Sequence, residues 1–523
     1  MTRYSSYATL LIGAVVPLVA AVSLTGSPAE AGQLPAVHAP ATAVSHLETT
    51  AKPSTVKPAT VKPGTLKSGR AKLGTTKLGT TKLGAAKPGR AASAATPAAT
   101  TAAVYYDWPT YHGNGARSGY AISAKRDNVQ PTLGWSIPLD GAVYGQPIIV
   151  DHGLRIVATE NNSVYRLQGN AVIWRHHLGA AVAGSSLPCG DIDPTGITGT
   201  PAYDAASNTV IVVSILNSPI RHVAFGLDPV TGNQKWSRTV DVPASVPGIS
   251  PAAMQQRGAL LVASGRVYIP YGGLAGDCSS YRGSVVGLDL TSPTTAPLWN
   301  FTVPTSREGG IWSAPGPIEE PGAGLLVAVG NGDTAQGGHY DYSDSVLELA
   351  GQRITDSFSP SEWQADNSSD LDLGSQAPAI VGNYVFIAGK NGTAYVLNKT
   401  KLGGIGGQVS RMPLCRSFGG TAVVGNTVFV PCDDGVRDVR INSNGTMTVL
   451  WHAESNVNGT PTVGGGKVFV LDRTAGVLHV LDPATGTTNW TVPVGAVSRF
   501  AAPAIYSNAV YIGTISGLKA FVW

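Results

Sequence analysis

Two stretches of the sequence repeat one pattern: LDPVTGNQKW at residues 227–236 and LDPATGTTNW at residues 481–490. In each copy an aspartate can cap a tight turn through its side chain, proline presets φ, and glycine supplies the left-handed residue that the turn needs. A strand then delivers a tryptophan, whose apolar face is suited to burial between neighbouring units. The residues are Asp228, Gly232 and Trp236 in the first copy and Asp482, Gly486 and Trp490 in the second. The repetition predicts a structural role in a chain of similar β-units.

A second marker recurs eight times in order along the chain. It is a cluster of small residues that ends in Pro or Ala and leads into an apolar run. The copies are GQPIIV (145–150), GTPAYD (199–204), SPAAM (250–254), SAPGPI (313–318), SQAPAI (375–380), GGTAVV (419–424), GTPTV (459–463) and AAPAIY (501–506). The steps between them run from 39 to 64 residues, and most contain further β-rich runs before a tryptophan. Such a period, with 64 glycines and 36 prolines in 523 residues, is typical of propeller blades.

The two ends of this repeat predict a closed ring. The last unit stops after GLKAFVW at 517–523 and lacks a fourth strand, whereas Leu133-Gly134-Trp135 ends a strand that has no unit before it. The N-terminal strand should therefore complete the C-terminal blade, which removes the exposed edges of an open array. We predict an all-β fold for residues 105–523: an eight-bladed propeller of four-stranded blades.

The first 31 residues have the pattern of a signal peptide. Arg3 precedes an apolar run from Ala8 to Leu24, and Ala29-Glu30-Ala31 is a small-x-small cleavage site. Cleavage there would give a secreted or cell-envelope protein that begins at Gly32. The alternative is an uncleaved signal anchor, because the apolar run approaches the ~20 residues that span a bilayer.

Residues 32–104 are predicted to be a disordered basic linker. Eight lysines recur every five residues from Lys52 to Lys87, among Thr, Ala, Pro and Gly, and a period of five suits neither helix nor strand. With Arg70 and Arg90 these lysines carry ten positive charges, while residues 105–523 hold 25 basic and 30 acidic residues. A basic linker on an acidic body favours contact with anionic cell wall or lipid. The alternative is a merely solvated spacer. The acidic body argues against nucleic-acid binding, and we expect a monomer.

The repeat also resembles a known family. The pattern GLDPxTGxxxW at 226–236, its near copy at 480–490 and the opening DWPTYHGNGARSG at 107–119 are similar to the PQQ-type, quinoprotein dehydrogenase-like eight-bladed propellers. That family includes calcium-dependent quinoprotein alcohol dehydrogenases and cofactor-free scaffolds similar to BamB. The resemblance covers about residues 105–523, and it is specific for the fold.

Polar residues concentrate in the loops that should surround the mouth of the central channel. Oxygen-rich loops of this kind can hold Ca²⁺, although solvated acidic loops are the alternative reading. The residues are Asp191, Asp193, Arg307, Glu308, Trp312, Asn331, Asp333, Asp341, Asp344, Asp366, Asn367, Asp370, Asp372, Arg416 and Arg499.

The resemblance implies particular roles for some of these residues. Asn331 would bind calcium, and Asp370 or Asp372 would be the catalytic base. The side chains that would contact a quinone cofactor are Arg307, Trp312 and Arg416. The sequence lacks the adjacent Cys-Cys pair, a convincing glutamate for calcium and the C-x-x-C-H haem motif of family enzymes. We therefore predict a binding or scaffold module with no cofactor, whose mouth face contacts an envelope protein or polymer. The alternative is a calcium-dependent PQQ dehydrogenase that oxidises an alcohol or sugar.

Four cysteines complete the set of candidate residues. No pair has C-x-x-C spacing, which argues against zinc, and an even count in an exported chain favours disulfides. Placement of the cysteines in mouth-face loops predicts Cys189 with Cys278 and Cys415 with Cys432. Reduced, buried thiols are the alternative.

Overall fold

The structure, a computed structural model, describes residues 106–320, 324–334 and 336–523. The predicted signal segment and basic linker lie outside these residues, so both stay predictions. Within the described residues the fold is nearly all β, with a single short α-helix, α1 (Trp363–Ser368). The 3₁₀ turns are Tyr111–Gly113, Gly184–Ser186, Pro251–Ala253 and Leu373–Ser375.

The strands form eight sheets, one for each blade. Two strands precede the first blade: β1 (Tyr120–Ala121) and β2 (Thr132–Pro138). Blade 1 consists of β3 (Ile148–Val150), β4 (Leu154–Ala158), β5 (Ser163–Gln168) and β6 (Ala171–His177). Blade 2 consists of β7 (Ala202–Asp204), β8 (Thr209–Leu216), β9 (Arg221–Leu227) and β10 (Gln234–Thr239).

Blades 3, 4 and 5 carry the insertions of the fold. Blade 3 consists of β11 (Met254–Gln255), β12 (Leu261–Ala263), β13 (Arg266–Gly273), β14 (Ser284–Asp289) and β15 (Trp299–Thr302). Blade 4 consists of β16 (Ile318–Glu320), β17 (Gly324–Val329), β18 (Ser345–Ala350) and β19 (Arg353–Ser359). Blade 5 contains β20 (Ala379–Val381), β21 (Tyr384–Ala388), β22 (Thr393–Asn398) and β24 (Ser410–Pro413), and the intervening β23 (Gly404–Ile405) pairs with β19 instead.

Blades 6 to 8 are more regular. Blade 6 consists of β25 (Ala422–Val424), β26 (Thr427–Val430), β27 (Arg437–Ile441) and β28 (Met447–His452). Blade 7 consists of β29 (Thr462–Gly464), β30 (Lys467–Asp472), β31 (Val477–Leu481) and β32 (Thr488–Pro493). Blade 8 contains β33 (Ala504–Tyr506), β34 (Ala509–Thr514) and β35 (Gly517–Val522). Its fourth strand is β2, which pairs antiparallel with β35, so the predicted closure of the ring is confirmed.

Two details of the repeat differ from the sequence prediction. The SPAAM stretch does not open the first strand of blade 3, because Pro251–Ala253 form a 3₁₀ turn and the innermost strand is β12. The strand β11 pairs only with the end of β13. Trp363, one of the tryptophans that follow the β-rich runs of the repeat, lies on α1 and not on a strand.

The repeated decapeptides receive a tryptophan from the preceding blade. Trp174 of blade 1 donates from Nε1 to the Pro229 carbonyl oxygen of blade 2 at 3.2 Å, and Trp451 of blade 6 donates to Pro483 of blade 7 at 3.0 Å. Gly232 has φ +74°, and a Cβ added there would lie 2.6 Å from the Trp174 ring. Glycine thus serves both the turn and the docking of the neighbouring ring.

The segment before β2 crosses the central channel. Trp108 pairs with Ile149 of blade 1, and the carbonyl of Pro109 accepts a bond from Tyr203 of blade 2. Farther along, β1 adds in parallel to β29 of blade 7. Tyr111, in the middle of the segment, packs into a buried cluster with Phe418 and Phe500. This segment therefore lies beneath the loops at one face of the ring.

Candidate functional site: a cavity at the mouth of the channel

The loops into the first strands and the loops between second and third strands gather at one face, which we call the mouth face. A cavity of about 240 Å³ opens there. Blades 2 to 5 and blade 8 contribute its lining. The lining residues are Asp191, Gln255, Arg257, Gly273, Leu274, Ala275, Gly276, Asp277, Tyr281, Gly310, Trp312, Gly330, Asn331, Asp370, Asp372, Lys390, Arg499 and Phe500. We call this space the mouth cavity.

Two disulfides fix loops at the mouth face. Cys189 is bonded to Cys278 and Cys415 to Cys432, in agreement with the predicted pairing. The first bridge closes 89 residues of sequence and ties the loop of Asp191 to the loop of Asp277, both of which line the mouth cavity. Cross-linking of this kind limits the freedom of the two loops.

A charge cluster lies on the blade 5 side of the mouth cavity. The ammonium group of Lys390 is 2.6 Å from Asp370 Oδ1 and 2.7 Å from Asp372 Oδ2. The backbone N–H of Asn331 donates to Asp372 Oδ1 at 2.6 Å. We call Asn331, Asp370, Asp372 and Lys390 the Lys390 cluster. One cation thus compensates two carboxylates.

Glycine and tryptophan hold this cluster close to the channel axis. A Cβ on Gly330 would lie 2.7 Å from Asp372 Oδ1 and 3.0 Å from Trp312 Nε1, so only glycine leaves both groups in place. The Lys390 ammonium lies 5.7 Å from the centre of the Trp312 ring, a cation–π contact. Trp312 meets Phe500 edge to face, with 6.2 Å between ring centroids. Aromatic contacts therefore join the Lys390 cluster to blade 8.

Burial dominates the electrostatics of the Lys390 cluster. Burial raises the pKa of Asp372, and the neighbouring Lys390 ammonium acts in the opposite direction. Burial alone would lower the pKa of Lys390, but the Asp372 and Asp370 carboxylates outweigh it and raise that pKa. Behind Asp372, burial and then the Asp372 charge raise the pKa of Asp344 well above its ordinary value. Burial of the Asp344 carboxyl thus favours its neutral form.

Arginines lie on the opposite side of the mouth cavity. The Arg257 guanidinium stacks on the Phe500 ring, 4.4 Å from its centroid, and Arg499 lies 5.5 Å from the same centroid. We call Arg257 and Arg499 the arginine pair. Burial lowers the pKa of Arg257, while the charges of Asp191 and Glu160 raise it. The mouth cavity thus contains both the Lys390 cluster and the arginine pair.

The structure brings together six of the side chains that the sequence singles out. The residues that line the mouth cavity are Asp191, Trp312, Asn331, Asp370, Asp372 and Arg499. Arg307 and Arg416 do not. The Arg307 guanidinium donates to the Asp277 carbonyl at 2.7 Å and pairs with Glu308 at 3.0 Å. Arg416 is exposed and stacks on Phe418, 5.8 Å from the ring centroid.

Sequence reasoning missed Lys390, Gln255 and Arg257. Lys390 stands in the GKNG turn between β21 and β22, and a turn between a second and a third strand is a mouth-face position. That placement was the available signal for Lys390. The SPAAM pattern obscures Gln255 and Arg257, because it predicts that the first strand of blade 3 has already begun, whereas β12 begins only at Leu261.

The carboxylates nearest Asn331 in the mouth cavity are paired with an internal cation. Calcium takes six to eight oxygen ligands. In the described ranges, Asp370 and Asp372 are both bound by the Lys390 ammonium, which occupies the place of a cation between them. The one cluster of three or more His, Cys, Asp or Glu ligand atoms among the described residues is Cys415, Cys432 and Asp434. Its two cysteines form a disulfide and cannot ligate as thiolates.

Comparison with models of known protein families shows to which family the chain belongs. The family model described as outer membrane protein assembly factor BamB matches residues 121–314 and 402–521, more than half of the chain. The chain belongs to this PQQ-like propeller family. No curated protein matches the sequence.

Solved structures with the same fold fall into two groups within this family. Quinohemoprotein alcohol dehydrogenase from Comamonas testosteroni is 17% identical with a TM-score of 0.59, and the match covers 81% of each chain. Quinohemoprotein alcohol dehydrogenase ADHIIG from Pseudomonas putida HK5 is 14% identical with a TM-score of 0.59, over 80% of each chain. BamB from Moraxella catarrhalis is 16% identical with a TM-score of 0.52, over 75% of this chain and 100% of that one. At these identities the likeness establishes the fold.

The described part of the chain contains no helix with the length and apolar character needed to cross a bilayer.

Proposed function

We propose that this chain is a binding propeller of the cell envelope, which holds a small polar ligand in the mouth cavity and does not catalyse a reaction. The observation that carries the proposal is the pairing of Lys390 with both Asp370 and Asp372, at 2.6 and 2.7 Å. A general base needs an acceptor that is available to the proton it removes. In this chain the two candidate carboxylates already accept from an internal ammonium group.

The shape of the site supports binding. The mouth cavity combines aromatic surfaces from Trp312 and Phe500 with seven charged side chains, and a concave site with convergent polar groups is a candidate ligand pocket. Disulfide-tied loops and the segment beneath the mouth give it a rigid frame. A preformed cavity lowers the ordering cost of binding.

The envelope location rests on the N-terminal residues. The predicted signal peptide would export the chain, and the basic linker would hold the propeller near anionic cell wall or lipid. An envelope protein or polymer at the mouth face is the partner that this arrangement favours. Protease accessibility in intact cells, with and without permeabilisation, tests the location.

A blocked cavity tests ligand binding. Ala275 is exposed and lines the mouth cavity, so Ala275→Trp should fill the entrance without disturbing the core. Ala484→Trp places the same side chain at an exposed turn of blade 7 and is the matched control. Ligand-observed NMR with a mixed library of small acids, amines and sugars should find binders for the wild type and Ala484→Trp that Ala275→Trp no longer binds. Binders that all three proteins retain, or no binder at all, would contradict the proposal.

The second candidate function is PQQ-dependent dehydrogenation of an alcohol or sugar. Its supporting observation is the meeting of Asn331, Asp372 and Trp312 in one cavity, with the pKa of Asp372 raised by burial as in many catalytic carboxyls. A thermal-shift titration with PQQ, with and without Ca²⁺, separates the two functions. A saturable, calcium-dependent rise in Tm that Asn331→Ala and Asp372→Ala abolish would favour the dehydrogenase. We expect no calcium-dependent rise.

A further inference from the structure

Arginine and phenylalanine side chains alternate across the mouth face. Arg416 stacks on Phe418 at 5.8 Å, and Arg499 lies 4.6 Å from the centroid of Phe418 and 5.5 Å from that of Phe500. Arg257 closes the series at 4.4 Å from Phe500. The stacking fixes the planes of the guanidinium groups, which reduces the entropy lost when they bind a ligand.

These three arginines have no internal anionic partner. Among the described residues, no carboxylate lies within ion-pair distance of Arg257, Arg416 or Arg499, and none of their guanidinium groups donates a hydrogen bond. Asp191 and Glu160 act on Arg257 only through longer-range attraction. The donors of the arginines are therefore available to a bound group.

Only two of the three arginines face the mouth cavity. Arg257 and Arg499 line it, and Arg416 does not. Gln255 lines the same cavity, is 5% exposed, and its side-chain amide has no hydrogen-bond partner in the described residues. The amide is therefore available to a ligand in this cavity. Three unpaired donor groups thus converge on one space.

Most of the other charged side chains of the mouth cavity have an internal partner, whereas Asp191 acts on Arg257 only over a longer distance. Lys390 binds Asp370 and Asp372, and Asp277 Oδ1 accepts a hydrogen bond from the Tyr281 hydroxyl at 2.5 Å. The guanidinium donors of Arg257 and Arg499 therefore lack hydrogen-bond acceptors among the described residues. Carboxylate and phosphate match the planar guanidinium fork, because each can accept two parallel N–H bonds.

We propose that Arg257, Arg499 and Gln255 form a subsite for an acidic group, carboxylate or phosphate, on the ligand of the mouth cavity. This inference rests on the proposed binding function and adds the chemical class of the ligand. The volume of about 240 Å³ equals the space of about eight water molecules in the liquid, which suits a small acid such as citrate.

Calorimetric titration of the full-length chain with citrate, and separately with inorganic phosphate, tests the subsite. At least one probe should bind, and its identity decides between carboxylate and phosphate. Arg257→Gln and Arg499→Gln should each weaken binding about tenfold or more, since each removes a charged hydrogen-bond donor. Arg416→Gln is the matched control, because Arg416 and Arg499 are both exposed and both stack on Phe418. Arg499→Gln changes an exposed residue, so it keeps the test valid if Arg257→Gln fails to fold.

Two outcomes would overturn the subsite. Equal weakening by Arg416→Gln would mean that general positive charge attracts the anion. If neither citrate nor phosphate bound the wild type, the proposal that the ligand carries an acidic group would be wrong. If the mouth cavity then still bound amines or sugars in a manner that Ala275→Trp blocks, the proposed binding function would stand without this subsite.

Discussion

Lys390 changes what the carboxylates beside it can do. Without it, Asp370 and Asp372 would repel each other and attract a divalent cation; with it, they form a compact cluster that is held by internal bonds. Removal of one partner of a buried pair leaves the other uncompensated, which is costly. The role of a carboxylate in this family fold thus depends on a single neighbouring side chain.

His112 gives a pH-dependent prediction. The side chain is fully buried, its Nδ1 lies 3.0 Å from the Thr421 carbonyl oxygen, and burial lowers its pKa to about 3. The neutral ring therefore donates from Nδ1. An unfolded histidine has a pKa of about 6.5, so the unfolded chain gains a proton between pH 6.5 and pH 3 that the folded chain does not. This group stabilises the fold fully above about pH 6.5, and its contribution falls as the pH falls.

As the pH falls from about 7.5 to about 5, the low pKa of His112 should reduce the unfolding free energy of the wild type by about 2 kcal/mol. His112→Gln should lose this part of the pH dependence, and His339→Gln, at an exposed position, should keep it. Urea unfolding at the two pH values measures the difference. The same pH dependence in His112→Gln and the wild type would contradict the prediction.

The sequence could predict part of the candidate site. Asn331 and Asp372 were found because their segments resemble those of a known family, and both line the mouth cavity. Lys390 was not found, because a lone lysine in a Gly-Lys-Asn-Gly turn has the pattern of a solvated residue. Its side chain is only 12% exposed, and that burial results from tertiary contacts with Trp312 and Asp372. Local sequence does not encode contacts of this kind.

Among the structural elements, the decapeptide turn joins neighbouring blades. The turn between β9 and β10 receives the Trp174 ring of β6, and the turn between β31 and β32 receives Trp451 of β28. The sequence pattern predicted the turn and the burial of tryptophan between units. It could not reveal that the docked ring comes from the preceding blade, because that contact joins residues 55 positions apart.

Gly232→Ala tests this docking. Alanine at φ +74° costs about 1 kcal/mol of unfolding free energy. Its Cβ would also lie 2.6 Å from the Trp174 ring and force the ring to move, so we expect the unfolding free energy to fall by about 2 kcal/mol or more in total. Gly169→Ala is the matched control, since Gly169 has φ +57° with nothing within 4 Å of its Cβ position. Urea unfolding followed by tryptophan fluorescence gives both values. If both variants lost the same unfolding free energy, the docking of Trp174 would not contribute to stability.

The blade 3 insertion illustrates a limit of repeat patterns. SPAAM has the small residues and the proline of the other markers, yet β12 begins seven residues later than Met254. Both β11 and β12 pair with the eight-residue strand β13, at its two ends. Pairing with β13 therefore determines which strand is innermost, and the prediction from the local SPAAM pattern is wrong at this position.

For the whole molecule, β2 is the closing strand of the ring. Ile137 is buried in the core cluster around blade 8, whereas Ser136, its neighbour, is exposed. Ile137→Asp should destabilise the protein by about 3 kcal/mol, since it buries a charge without a partner. Ser136→Asp should change stability by less than about 0.5 kcal/mol.

Hydrogen exchange at β35 measures the closure directly. In Ile137→Asp, the amides that bond to β2 should exchange faster, and size exclusion should reveal association through the opened edge. Protection of β35 equal to that of the wild type would contradict this role for β2.

The pairing of β2 with β35 also has a consequence for biosynthesis. Thr132 and Val522 are 390 residues apart, so a chain that emerges N-terminus first holds β2 without its partner until β35 has also been made. Each earlier blade can form as it emerges, but the circle cannot be completed. A ribosome that stalls late would therefore release a nearly complete arc with two open edges, a substrate for chaperones and proteases. Pairing of β35 with β2 thus distinguishes closed rings from open arcs.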